Sequence, residues 1–102
     1  MAELLIKGGM VIDGTGNAGY EADVFVKDGK IAKITKIAKN EKTETGPSDF
    51  AAAAVQVLDA RGKLVTPGFI NIHSHSDCSV SIYPEMESTL GQGITTEFSG
   101  HC

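Results

Sequence analysis

The 102-residue chain has only two cysteines, Cys78 and Cys102, too few for a disulfide framework. It has no run approaching the roughly 20 apolar residues that a membrane helix needs. Its first residues, "MAELLIKGGMVIDG", lack the basic segment and long apolar core of a secretory signal. A reducing, cytoplasmic setting is therefore expected. Excess positive charge is also lacking. The net charge is −4, so nothing suggests a nucleic-acid partner or an anionic membrane surface. Basic residues are absent altogether from the last third. All nine Lys and Arg lie between Lys7 and Lys63, and from Leu64 onward there are four acids and neither Lys nor Arg. That asymmetry suits a segment that holds a cation or packs into something larger.

Short apolar runs separated by turn residues dominate the first 66 positions. Leu4-Leu5-Ile6 and Met10-Val11-Ile12 read as strands flanking a turn at Lys7-Gly8-Gly9. Residues 13–19, "DGTGNAG", read as a loop. Asp28-Gly29 lies between Val24-Phe25-Val26 and Ile31–Ile34, a strong hairpin signal. Residues 39–54 are polar, with Gly46-Pro47 inside them, and read as an exposed loop. Strand character returns at 55–58 and 63–66, on either side of a turn at 59–62. The whole reads as a mostly antiparallel β layer.

The pattern changes at Pro67-Gly68. Residues 69–73 form an apolar run of the kind found in a parallel strand covered on both faces. Residues 84–91 predict a helix, with Pro84 in its first turn and Gly91 and Gly93 to stop it. Ile94–Phe98 predicts a second strand. Strand, helix, strand is a βαβ unit. A lone βαβ unit cannot close a sheet, so the chain is expected to be the front end of something longer.

Chemistry concentrates in "PGFINIHSHSD", residues 67–77. On a strand, alternate residues share a face, so His73 and His75 are expected to point together. Two imidazoles about 7 Å apart can lean onto one ion at zinc–nitrogen distance. If alternation holds to the end of the second strand, Cys102 shares a face with Ile94, Thr96 and Phe98. A thiolate there is a strong zinc ligand. His101 would point away from Cys102, which favours a supporting role. Cys78 reads as packing. Asp77 either orients a histidine or caps the loop. Glu85 and Glu87 are expected to be solvated. Gly14, Gly16 and Gly19 spell G-x-G-x-x-G, but no long helix follows, so nucleotide binding is rejected.

"LVTPGFINIHSHSD" resembles the first barrel strand of the metal-dependent amidohydrolase superfamily, and residues 4–34 resemble its N-terminal β-sandwich portion. "EMESTLGQGITTEFSGHC" is similar to the N-acyl-D-amino-acid deacylase (D-aminoacylase) branch. The resemblance implies an α/β fold overall. Residues 1–66 would be the N-terminal β-sandwich portion. Residues 67–102 would be the first βαβ unit of an incomplete (β/α)8 TIM barrel. It implies one or two zinc ions, with His73, His75 and Cys102 as metal ligands. The general acid/base aspartate is expected beyond these residues, so no catalytic group lies within the chain. The implied reaction is hydrolysis of the non-peptide C–N bond of a small-molecule N-acyl-D-amino acid by a zinc-activated water. One alternative is a cyclic-amide hydrolase of hydantoinase or dihydroorotase type. Another is a non-catalytic truncated module. By itself the chain is expected to be inactive and to self-associate through unpaired sheet edges.

Overall fold

A computed structural model describes residues 3–37 and 56–100. It is a mixed α/β structure dominated by strands. The chain divides into two compact units, Met1–Thr66 and Pro67–Cys102.

The first unit holds β1 (Leu4–Val11), β2 (Tyr20–Lys27), β3 (Lys30–Lys36), β4 (Gln56–Asp59) and β5 (Leu64–Val65). They form one five-stranded sheet in the order β3-β2-β1-β4, with β5 also beside β1. β2 and β3 are the hairpin expected at Asp28-Gly29, and both turn residues have positive φ, 52° and 73°. Residues 13–19 lie between strands, as expected of a loop.

Lys7-Gly8-Gly9 is not a turn between two strands; β1 runs through it with a β-bulge. The register against β2 passes from Ile6↔Val24 to Gly9↔Ala22, so Lys7 and Gly8 together oppose Asp23. Gly8 adopts φ 70°, and its N–H donates to Asp23 Oδ1 at 2.8 Å. The extra residue inverts the alternation. Ile6 before the bulge and Val11 after it consequently reach one face. There they pack with Tyr20, Ala22, Val24, Val26 and Val65.

The layer is mostly antiparallel, as expected, through β1–β2 and β2–β3, but it has a parallel edge. β4 and β5 both run parallel to β1. Their intervening turn lies alongside the bulge, where Ala60 N–H donates to Lys7 O and Met10 N–H to Lys63 O. A turn therefore interrupts one edge strand instead of reversing it. Among the described residues this unit has one sheet, where a sandwich requires two. The loop expected at 39–54 lies outside the described residues.

The second unit holds β6 (Phe69–Asn71), α1 (Ser76–Ser79), α2 (Glu87–Leu90) and β7 (Ile94–Glu97). β6 and β7 pair in parallel, as a βαβ connection requires. The register shifts from Phe69↔Ile94 to Ile70↔Thr96 and Asn71↔Glu97. Thr95 is thus the extra residue. A Cβ on Gly68 would lie 2.0 Å from Thr95 Oγ1, so glycine is needed for this close approach.

The expected helix at 84–91 shrinks to the single turn of α2. Its N-cap is Met86, at φ 49°, so Pro84 lies before the helix and not in its first turn. α1 replaces part of what reads as strand or loop in the sequence. The apolar run at 69–73 is a strand for only three residues, and all of it except half-buried Asn71 is exposed. No described residue of this unit is buried. Phe69, Ile70, Ile72, Ile82, Tyr83, Leu90 and Phe98 are all more than half exposed. No helix among the described residues is long and apolar enough to cross a membrane.

Candidate metal centre

His73 and His75 do not lie on a strand. β6 ends at Asn71, His73 sits in a bend and His75 is the N-cap of α1. The alternation argument for their shared direction therefore fails, because pairing with β7 stops before the motif begins. What survives is their position immediately past the C-terminal end of a parallel strand. Both histidines are exposed.

The bend has a local cause. Asn71 Oδ1 accepts the His73 N–H at 3.3 Å, an asparagine bonding the backbone two residues on. Ser74 Oγ similarly accepts the Ser76 N–H at 3.4 Å as α1 begins. Asp77 Oδ1 accepts the Cys78 N–H at 3.0 Å.

Beneath the motif lies a carboxylate that the sequence reading missed. Glu97, the last residue of β7, accepts hydrogen bonds from Asn71 Nδ2 at 3.2 Å and from Ser74 Oγ at 2.5 Å. Ser76 Oγ lies 3.4 Å from the same Oε2. Asn71, Ser74, Ser76 and Glu97 are all half-buried, whereas the flanking histidines are exposed. One signal for this cluster was available. Asn71 and Glu97 are the polar members of otherwise apolar or β-branched strands, "FIN" and "ITTE".

An open cavity of about 830 Å³ adjoins the cluster. Ser74, His75, Cys78, Tyr83, Glu85 and Glu97 are among its lining residues; His73 is not. Cys78 is exposed and not packed as expected. Glu85 and Glu87 are exposed and also line the cavity. With no Lys or Arg in the unit, these acids leave the cavity negative, which favours a cation.

Among the described residues, no group of three or more His, Cys, Asp and Glu is placed to hold a metal ion. His101 and Cys102 lie outside the described residues. β7 ends at Glu97, so strand alternation does not extend to Cys102. Two exposed imidazoles fit zinc as part of a ligand set, since zinc takes nitrogen donors and a catalytic site generally uses three protein ligands.

Comparison with known proteins finds relatives that match nearly the whole chain. No protein-family model matches the chain. An N-acyl-D-aspartate deacylase from Alcaligenes xylosoxydans xylosoxydans is 37% identical over 102 residues, 99% of this chain and 18% of that protein. A crystal structure of D-aminoacylase, described as defining a novel subset of amidohydrolases, superposes with a TM-score of 0.77 at 33% identity, over 97% of this chain and 18% of that one. Relatives that are 36–38% identical over nearly the whole chain are an N-acyl-D-aspartate deacylase, an N-acyl-D-glutamate deacylase and a D-aminoacylase, and the chain is similar to a small N-terminal part of these amidohydrolases. The Bordetella bronchiseptica N-acyl-D-glutamate deacylase agrees, with a TM-score of 0.77, 37% identity and the same coverage of both chains. That structure holds zinc and a phosphonate mimic of the tetrahedral intermediate. A dihydroorotase from Pelotomaculum thermopropionicum (strain DSM 13744 / JCM 10971 / SI) is 42% identical over 73 residues, 72% of this chain and 14% of that protein. The chain spans less than a fifth of the deacylases it matches, and corresponds to a small N-terminal part of them.

Proposed function

We propose that these residues are the N-terminal part of a cytoplasmic, metal-dependent hydrolase that deacylates N-acyl-D-amino acids. The observation that carries this reading is the place of His73-Ser74-His75. The motif stands just past the C-terminal end of β6, in a chain matching deacylases over nearly its whole length. Active sites of (β/α)8 barrels lie at that end of their strands. Residues 1–66 are read as the N-terminal β-sandwich portion and residues 67–102 as the start of the barrel. The exposed apolar side chains of the second unit support this, since further barrel elements would cover them.

His73, His75 and Cys102 would hold the metal, one or two zinc ions, by two imidazoles and a thiolate. Bound there, zinc supplies an activated water and polarises the acyl carbonyl. The chain's own part is to present His75 at the rim of an acidic cavity, with His73 two residues before it. Proton transfer is assigned to an aspartate outside these residues.

The test is an assay of the full-length protein with N-acyl-D-amino acids, their L-isomers, dihydroorotate and hydantoin. Hydrolysis confined to the D-series, abolished by a chelator and restored by zinc, is the expected result. Turnover of the cyclic amides alone would instead support the dihydroorotase-type reading favoured by the shorter match. Retention of full zinc content by Cys102→Ala would remove the thiolate from the ligand set.

A further inference from the structure

Glu97 stands at the junction of two hydrogen-bonded branches that flank the histidine turn. From its carboxylate, one branch runs through Asn71, whose Nδ2 donates to Glu97 and whose Oδ1 takes the His73 N–H. The other runs through Ser74, whose hydroxyl donates to Glu97 Oε2 and whose Oγ takes the Ser76 N–H. The two branches grip the backbone on either side of the His73–His75 segment. Ser76 Oγ closes the loop, 2.9 Å from Ser74 Oγ and 3.4 Å from Glu97.

We propose that Glu97 is a positioning residue for the metal site, a clamp that sets the direction of both imidazoles without touching the ion. The proposal rests on the metal-centre reading above. Three features support it. Hydrogen bonds to an ionised carboxylate are shorter and stronger than neutral ones, so this acceptor is suited to holding a bend. No Lys or Arg exists between Leu64 and Cys102, so within its unit Glu97 finds its donors in Asn71, Ser74 and Ser76. Its placement also depends on the Thr95 bulge. Without the extra residue, Asn71 would face Thr96. The bulge brings Glu97 level with Asn71, directly below the turn, and Gly68 makes room for it.

The experiment uses the full-length protein and four forms of it: wild type, His73→Ala, Glu97→Gln and Ser74→Ala. Zinc affinity is measured by chelator competition, and the cobalt-substituted forms are examined by visible spectroscopy. His73→Ala identifies the ion held by the motif. Glu97→Gln is expected to weaken that ion by about 10–100-fold, the usual cost of losing a group that orients a ligand. It should also shift the cobalt bands. Ser74→Ala should move both readouts in the same direction by less. Wild-type affinity and spectrum in Glu97→Gln and Ser74→Ala, with the ion lost in His73→Ala, would overturn the clamp and leave the metal reading standing. Unchanged zinc binding in His73→Ala would overturn both. If Glu97→Gln fails to fold, Ser74→Ala decides by the same two measurements. A purely structural role would lower thermal stability without moving the cobalt bands, and that result also overturns the proposal.

Discussion

Asn71 and Glu97 are register partners across the parallel β6–β7 pair, and their side chains are hydrogen-bonded, Nδ2 to Oε2, at 3.2 Å. The same asparagine accepts the His73 N–H. One side chain thus links strand pairing to the bend that carries the histidines. Asn71→Ala removes both contacts and leaves a half-buried carboxylate with fewer donors. The expected loss is about 1.5–3 kcal/mol of stability, the usual range for a hydrogen bond to a charged group. Urea denaturation of the full-length protein checks it, and a midpoint unchanged from wild type would contradict it.

Gly68→Ala should be costly for a different reason. The added methyl would lie 2.0 Å from Thr95 Oγ1 and 2.4 Å from its Cγ2. A threonine at a bulge cannot swing away as a long flexible side chain would, so the strand pair must shift. Overpacking of this kind costs about 1–3 kcal/mol. Thr95→Ala removes the two nearest contacts and leaves only Cβ, at 2.8 Å. The double variant should therefore recover part of the loss in melting temperature. No recovery would place the cost elsewhere.

The 102 residues alone should self-associate. None of the described residues of Pro67–Cys102 is buried, and Ile70, Ile72 and Ile82 are 64%, 71% and 74% exposed. β6 and β7 pair only with each other among the described residues, leaving their outer edges open to another chain. Sedimentation velocity of the isolated chain should show concentration-dependent oligomers. A stable monomer at all concentrations would contradict this.

Acid should act on the turn that follows β4. The Asp59 carboxylate accepts bonds from the Arg61 side chain and from the Arg61 N–H, which together hold its pKa well below the usual carboxylate range. A depressed folded-state pKa stabilises above the unfolded value, about 4, and that contribution is lost as pH falls through the folded value. Asp59→Asn should therefore lower the urea midpoint at neutral pH. The gap to wild type should narrow only below about pH 4. Both side chains are exposed, so the effect is small. A gap that widens in acid would have the wrong sign.

Local chemistry was enough to locate some of the elements. The Asp28-Gly29 hairpin, the loop at 13–19 and the change of pattern at Pro67 are written in turn residues and apolar runs, because glycine and proline act on their own backbone. The histidine pair was legible as a candidate for the same reason; residue type alone proposes a ligand. What lay beyond reach was register. The bulge at Lys7-Gly8, which turns Ile6 and Val11 to one face, depends on β2 lying alongside. The parallel run of β4 and β5 depends on a turn nesting against that bulge. The placement of Glu97 under His73 and His75 depends on one extra residue, Thr95, in a partner strand some 26 positions away. Register is a property of two strands together, set by which side chains clear one another when they pair. The sequence by itself determined which residues could bind a metal. Only the tertiary structure decided that the motif leaves its strand and that a glutamate holds the bend beneath it.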